Sequence, residues 1–113
     1  MFAAHHQLDN LTVIIDYNNL QSLDTVQKTL GLEPLVDKFI SFGADVLEVN
    51  GHKHDELLAA LIKPVMLKPK VIIAHTIKGK GVSFMENQVP WHYKNPTQEQ
   101  LAAALQEIEG RHA

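Results

Sequence analysis

The sequence contains no cysteine among its 113 residues, which excludes disulfides and thiol chemistry. It also lacks an excess of positive charge, because the formal net charge is −3, and therefore shows no electrostatic footprint for nucleic acid or an anionic membrane. No apolar run approaches the roughly 18 residues of a membrane-spanning helix, and no basic segment followed by an apolar one opens the chain. We therefore expect a soluble, cytosolic protein.

Length and composition predict one globular domain. A chain of 113 residues lies near the common domain size, and its 45% apolar and 20% charged residues are ordinary for a soluble globular protein. Three runs rich in Val and Ile predict buried β-strands. These runs are LTVIID (residues 11–16), DVLEVN (residues 45–50) and KVIIAHTI (residues 70–77).

Helices are predicted between and after these strands. Residues 32–44 and 54–63 have apolar residues at helical spacing, and the glycine at 43 and the proline at 64 are stop signals. Residues 97–110 begin with Thr97, and Gln100 follows at the spacing of a capping box. A polar loop is predicted over residues 78–96.

The alternation of strands and helices predicts the α/β class with a parallel sheet of three visible strands and flanking helices. The first residues, MFAAHHQL, look like the end of a helix that lacks its beginning. We therefore expect this sheet to be part of a larger domain.

Polar clusters follow all three strands, at residues 16–19, 50–54 and 75–81. In open α/β sheets, ligands bind beyond the carboxyl ends of the strands. Asn18 offers a side-chain oxygen and Leu20 a backbone carbonyl, and hard cations such as Mg²⁺ accept such ligands. The alternative is that the Asn-Asn pair simply forms a turn.

The other polar positions also allow two interpretations. Lys78 lies in IKGKG (residues 77–81), where glycine amides and a lysine suit an anion, although a solvated surface turn has the same composition. His92 follows Trp91 and could donate to a phosphate or a sugar hydroxyl. His52 and His54 lack the spacing of a zinc site, and His54 is typical of a helix start.

Taken in order, these segments resemble the transketolase family. FAAHHQLDNLTVIIDYNNLQS is similar to the second half of its thiamine-diphosphate fingerprint, and VIIAHTIKGKGVSFMENQVPWHYKNP to its later strand and loop. ISFGADVLEVNGHKHDELLAAL fits the segment between them. The resemblance implies that residues 1–113 are a partial thiamine-diphosphate-binding domain, the C-terminal part of the N-terminal domain of such an enzyme.

The resemblance also implies a function and its residues. Asn18 and the carbonyl of Leu20 would ligate Mg²⁺ (or Ca²⁺), and Lys78 and His92 would bind the cofactor diphosphate and the substrate, with His92 as the catalytic residue. The glycine-lysine-glycine amides would offset phosphate charge. The family transfers a two-carbon ketol unit between sugar phosphates and often binds the cofactor between subunits, so a complementary domain or subunit is the expected partner.

Two departures from the family pattern lead to further expectations. No Gly-Asp-Gly occurs in the sequence, so the aspartate that ligates the metal in the family is missing and we expect weak cofactor binding. The missing start of the domain would leave a sheet edge and an apolar face uncovered, so we also expect oligomers. Tyr93 stands where the family commonly has glycine, which predicts strain if this position needs a positive φ. The alternative functions are a non-catalytic interaction domain that has lost the site, or a related thiamine-diphosphate enzyme.

Overall fold

The computed structural model describes residues 1–110, which form two compact units. We call residues 1–17 with 31–76 the sheet unit, and residues 18–30 with those from 77 onward the loop unit. In chain order the elements are α1 (Phe2–His5), β1 (Thr12–Tyr17), α2 (Val26–Thr29), α3 (Leu35–Ser41), β2 (Asp45–Asn50), α4 (His54–Ile62), β3 (Lys70–His75), a 3₁₀ helix (Val89–His92) and α5 (Gln98–Glu109).

The sheet unit is built on a three-stranded parallel sheet in the order β1-β3-β2. The central strand β3 supplies its core, where Ile72 and Ile73 are fully buried. At the carboxyl end of the sheet, His75 lies in register with Tyr17 on one side and with Asn50 on the other. The predicted α/β class and parallel three-stranded sheet are confirmed.

The prediction that all three strands are buried is wrong for β1, and it is also wrong for β2, whose residues are half-buried or exposed. The side chains from Thr12 to Ile14 are exposed, and Ile14 retains 55% of its accessible surface. The physical reason is that helices α3 and α4 pack mainly against β2, whereas within residues 1–110 β1 is an edge strand that pairs only with β3, so few groups cover its two faces. Its apolar sequence therefore faces solvent in this part of the chain.

The helices of the sheet unit lie where they are predicted, but α3 is shorter at both ends and ends at Ser41 instead of residue 44. Helix α4 begins at His54 as expected, whereas α3 begins at Leu35 rather than at residue 32. Pro34 precedes α3 with extended backbone angles, as is common for a proline at a helix start. Gly43 has φ +94° just after α3 ends, so the predicted glycine stop is confirmed.

A buried lysine joins β3 to α4 within the sheet unit. The Nζ of Lys70 donates hydrogen bonds to the carbonyls of Ala60, Leu61 and Lys63, at 2.9, 2.7 and 2.6 Å. Helix ends carry carbonyls without partners in the helix, and a cation there also complements the helix dipole. The first residue of β3 thus caps the C-terminal end of α4.

The loop unit contains α5, the 3₁₀ helix and the short helix α2. The capping box of Thr97 and Gln100 is present at the start of α5, as predicted. Helix α2 and the 3₁₀ helix are not anticipated by the sequence pattern, because both are only four residues long. Glu107 of α5 accepts hydrogen bonds from the backbone N–H and the hydroxyl of Ser83 at 2.6 and 2.7 Å, and so holds the segment before the 3₁₀ helix.

No helix within residues 1–110 is both long enough and apolar enough to cross a membrane.

Candidate functional site

A cavity of about 190 Å³ in the loop unit brings the four predicted site residues together. Its lining consists of Asn18, Leu20, Gln21, Ser22, Lys78 and His92. The predicted residues come from two segments that are about sixty residues apart in sequence. Their convergence is the central observation of this site.

The turn that carries Asn18 and Leu20 begins directly after β1. The Oδ1 atom of Asn18 accepts a hydrogen bond from the backbone N–H of Leu20 at 2.9 Å. Asn19 between them has φ +61°, a left-handed conformation that asparagine tolerates. The simple-turn interpretation and the ligand interpretation are therefore compatible, because an amide oxygen has two lone pairs and this turn uses one.

The carbonyl of Leu20 is the second predicted metal ligand. Leu20 faces Thr25 in an antiparallel bridge, and the flanking bonds run from Gln21 N–H to the Asp24 carbonyl and from Val26 N–H to the Asn19 carbonyl. This pattern makes Leu20 and Thr25 a non-hydrogen-bonded pair, so their bridge does not use the Leu20 carbonyl. The bridge therefore fixes the backbone of Leu20, and neither of its hydrogen bonds uses the Leu20 carbonyl oxygen.

The carboxylate of Asp24 stabilises the same turn. It accepts a hydrogen bond from the backbone N–H of Thr25 at 2.7 Å, and the ammonium of Lys28 lies 3.3 Å away. These contacts lower the pKa of Asp24, with the backbone hydrogen bond as the main cause. The turn is therefore held by an ionised group at neutral pH.

These residues fit a metal only as part of a larger ligand set. The two oxygens, from an amide and a carbonyl, are the donor type that Mg²⁺ and Ca²⁺ accept. Within residues 1–110, no three His, Cys, Asp or Glu side chains are grouped so that they could hold a metal ion. A cation at this turn would need further oxygens from an anionic ligand or from another chain segment.

Lys78 is the residue of the glycine-lysine segment that lines the cavity. Gly79 has φ +72°, and an added Cβ would lie 2.6 Å from the carbonyl oxygen of Met85, so only glycine fits there. The Lys78 carbonyl accepts a hydrogen bond from the N–H of Asn87 at 2.9 Å. The loop thus folds back on itself directly beside Lys78.

The expectation that the amides of this segment serve a phosphate is wrong for two of them. The N–H of Lys80 donates to the Ile77 carbonyl at 3.1 Å, and the N–H of Gly81 donates to Oε1 of Glu86 at 3.1 Å. The Lys80 ammonium also lies 3.9 Å from that carboxylate. Since a backbone N–H is a single donor, Lys78 is left as the main positive group of this segment at the cavity.

His92 ends the 3₁₀ helix and reaches the cavity from the other segment. Its Nε2 atom lies 3.2 Å from Oγ of Ser22. The preceding Trp91 anchors the helix, because its indole N–H donates to the Phe84 carbonyl at 3.0 Å and the two rings lie 5.5 Å apart. Tyr93 has φ −135°, so the tyrosine in the family's glycine position causes no left-handed strain here.

Sequence reasoning missed Gln21 and Ser22. Both end the segment FAAHHQLDNLTVIIDYNNLQS that resembles the family fingerprint, but in that segment the resemblance assigns a role only to Asn18 and Leu20. Their place in the cavity depends on the turn and on the approach of His92, which connects positions 70 residues apart.

In the sheet unit, His75 contacts both a carboxylate and an aromatic ring. Its Nε2 lies 2.7 Å from Oε2 of Glu48, and its ring packs edge-on against that of Tyr17, with centroids 5.6 Å apart. The Tyr17 hydroxyl donates to Glu33, which raises the pKa of Tyr17 to about 12 and lowers the pKa of Glu33. His54 starts α4, as one interpretation predicts.

The fold is of the α/β class, and the polar cavity is lined by amide, hydroxyl, lysine and histidine groups. The sequence matches the family described as "Transketolase, thiamine diphosphate binding domain" over residues 1–111. The chain therefore belongs to the transketolase family, as a thiamine-diphosphate-binding domain.

Curated relatives agree with this assignment. The chain is 41% identical to one of the subunits of the apulose-4-phosphate transketolase of Phocaeicola vulgatus, over 98% of this chain and 40% of that protein. It is 40% identical to a 6-deoxy-6-sulfo-D-fructose transketolase subunit of Clostridium sp., over 96% of this chain and 40% of that protein. The chain thus spans about 40% of the length of these relatives.

The fold also matches a solved transketolase. The crystal structure of transketolase from Campylobacter jejuni superposes with a TM-score of 0.85 at 29% identity, covering 96% of this chain and 17% of that one.

Proposed function

We propose that this chain forms part of a transketolase that transfers a two-carbon ketol unit between sugar phosphates. In this proposal the chain binds the diphosphate of thiamine diphosphate together with Mg²⁺, and it works only with a complementary domain or subunit. The single observation that supports this best is that Asn18, Leu20, Lys78 and His92 line one cavity.

Each of these residues has a role that its chemistry permits. Asn18 Oδ1 and the Leu20 carbonyl are oxygen donors for the cation, and the Lys78 ammonium attracts the diphosphate. His92 donates a hydrogen bond to a phosphate oxygen or a sugar hydroxyl, which orients the reacting group. The chemistry that thiamine diphosphate supplies when bound is nucleophilic attack on a ketose carbonyl.

The need for a partner follows from the ligand set. This sequence has no Gly-Asp-Gly, and the described residues offer the cation two neutral oxygens but no carboxylate cluster. A carboxylate next to a divalent cation contributes several kcal/mol even when partly screened. We therefore expect weak binding of the cofactor by this chain alone. The names of two relatives, which designate them as transketolase subunits, are consistent with a split enzyme.

Calorimetry of thiamine diphosphate with Mg²⁺ tests the proposal. We expect binding when the chain is mixed with a transketolase fragment that carries the Gly-Asp-Gly segment and the second domain, and little binding to either part alone. Asn18→Ala should abolish the binding of the mixture.

Asn50→Ala is the matched control for this experiment. The Asn50 side chain accepts a hydrogen bond from the N–H of His52 at 3.0 Å, so this residue of the sheet unit makes the same kind of turn as Asn18, and it is not among the residues that line the cavity. Loss of binding in both variants would point to general damage by loss of the turn. Absence of binding in every mixture would favour the non-catalytic interaction domain.

A further inference from the structure

The contact between Ser22 and His92 joins the two segments that form the cavity. The Ser22 hydroxyl lies 3.2 Å from Nε2 of His92, and both residues line the cavity. A serine hydroxyl either donates to a bare ring nitrogen or accepts from a protonated one. The hydrogen bond at one ring nitrogen determines which nitrogen carries the proton in a neutral histidine. The contact with Ser22 can therefore determine which ring nitrogen of His92 carries the proton.

Both ends of this contact are held by other bonds. Ser22 lies in the short loop that two bridge bonds close, Gln21 N–H to the Asp24 carbonyl at 2.8 Å and Val26 N–H to the Asn19 carbonyl at 2.9 Å. His92 ends a 3₁₀ helix that Trp91 anchors through its indole N–H. A hydrogen bond between two ordered segments loses less entropy than one between mobile side chains. The contact with Ser22 can therefore fix the orientation of the His92 ring.

We propose that Ser22 is a positioning residue that donates its hydroxyl proton to Nε2 of His92 and thereby keeps the neutral ring protonated at Nδ1. The ring then presents Nδ1–H as a hydrogen-bond donor to an anionic ligand. Lys78 supports donation from Ser22 to His92. It lines the same cavity, and its ammonium suits an anionic ligand. An anion accepts hydrogen bonds, so it needs a donor such as the Nδ1–H of His92. This inference rests on the proposed function only for the nature of the ligand.

Nitrogen NMR of the full chain, with ¹⁵N-labelled histidine at neutral pH, tests the inference directly. The sequence has seven histidines, so His92→Gln identifies the His92 signals. We expect His92 to be protonated at Nδ1 in the wild type and in Ser22→Thr, which keeps the hydroxyl. In Ser22→Ala this preference should be lost. Ser41→Ala removes a hydroxyl from α3 and should change nothing at His92.

Titration with inorganic pyrophosphate and Mg²⁺ then separates this inference from the proposed function. We expect pyrophosphate to shift Nδ1 of His92 in the wild type and to bind roughly tenfold more weakly to Ser22→Ala. A tautomer that depends on Ser22, without pyrophosphate binding to any variant, supports the positioning role and counts against the proposed function alone. His92 signals that are identical in the wild type and Ser22→Ala, or a wild-type ring protonated at Nε2, would overturn the inference.

Discussion

The side-chain oxygen of Asn18 accepts a hydrogen bond from the backbone N–H of Leu20 at 2.9 Å, and these are the two residues that we propose as metal ligands. The bond fixes the Asn18 amide relative to the backbone that carries the Leu20 carbonyl. Preorganised ligands lose less entropy when a cation binds. Under the proposed function, this turn would hold the two oxygens in place before the cation binds.

Replacement of Asn18 by aspartate should strengthen metal binding by the isolated chain. Aspartate forms the same turn and adds a negative charge next to the cation. We expect Mg²⁺ affinity to rise at least about tenfold, because Coulomb attraction at such distances is worth several kcal/mol at intermediate dielectric. Calorimetry with MgCl₂ measures this. Asn50→Asp adds the same charge at the equivalent turn in the sheet unit, and an equal gain there would contradict a site at Asn18.

Loss of the Lys78 ammonium should weaken diphosphate binding by the complemented enzyme. A hydrogen bond to a charged group contributes about 1.5–3 kcal/mol, so Lys78→Ala should raise the Kd at least about tenfold. The affinity should also depend less on salt concentration, because one ionic contact is missing.

Lys80 provides the matched control for Lys78. It lies two residues further along the same loop, but its ammonium is 3.9 Å from Glu86 and it is absent from the cavity lining. We expect Lys80→Ala to keep the wild-type Kd within about twofold, since exposed ion pairs contribute little. Equal losses in both variants would indicate a general effect of net charge instead of a site.

The hydrogen bond from Tyr17 to Glu33 should make stability depend on pH at both extremes. It is the main cause of the lowered pKa of Glu33, with the Leu35 N–H second, so this stabilisation is present above about pH 4.5 and is lost as the pH falls through the lower folded-state pKa. It is also the main cause of the raised pKa of Tyr17, so this stabilisation is present below about pH 10 and is lost as the pH rises towards about 12.

Spectrophotometric titration checks the alkaline side of this prediction. The chain has two tyrosines, so Tyr93→Phe leaves Tyr17 as the only phenol. We expect Tyr17 to ionise with a pKa of about 12 in that background and nearer 10 when Glu33→Gln is added. Acid unfolding should also become less steep in Glu33→Gln, whereas Glu99→Gln on α5 serves as the control. An unchanged Tyr17 titration in Glu33→Gln would contradict this assignment.

Replacement of the buried Lys70 should destabilise the sheet unit. Lys70→Met keeps an aliphatic stem but leaves the carbonyls of Ala60, Leu61 and Lys63 without their donor. Each buried acceptor without a partner costs about 1–3 kcal/mol, and water can replace some of these bonds, so we expect a loss of about 2–3 kcal/mol. Urea unfolding monitored by circular dichroism measures it. The exposed Lys68→Met should cause little change, and equal stability of both variants would refute the capping role.

The uncovered edge of β1 should promote association of the isolated chain. An open edge with exposed apolar side chains pairs readily with another strand. We expect light scattering to show oligomers for the wild type, and Ile14→Lys should reduce their fraction, since an edge lysine opposes pairing. Leu23→Lys changes a residue of the loop unit that is 83% exposed and should not have this effect. A stable wild-type monomer at high concentration would contradict the prediction.

The sequence by itself determined the strands, the helix start at His54, the capping box of Thr97 and Gln100, and the parallel α/β class. These features depend on local periodicity, helix caps and turn residues, which a short window of sequence contains. The four predicted site residues were identified by the family resemblance, since spacing alone left a simple turn as the alternative at Asn18.

Only the tertiary structure decided how these parts are used. In the structure, β1 is an edge strand and Lys70 bonds to the end of α4. The Gly81 amide donates to Glu86, and Ser22 contacts His92. Strand order and the Ser22–His92 contact join residues that are distant in sequence. The Lys70 bonds to the end of α4 and the Gly81–Glu86 bond span short stretches of sequence, but they depend on how the chain folds back between their partners. No local pattern encodes such contacts, because they form only when the whole chain finds its packing.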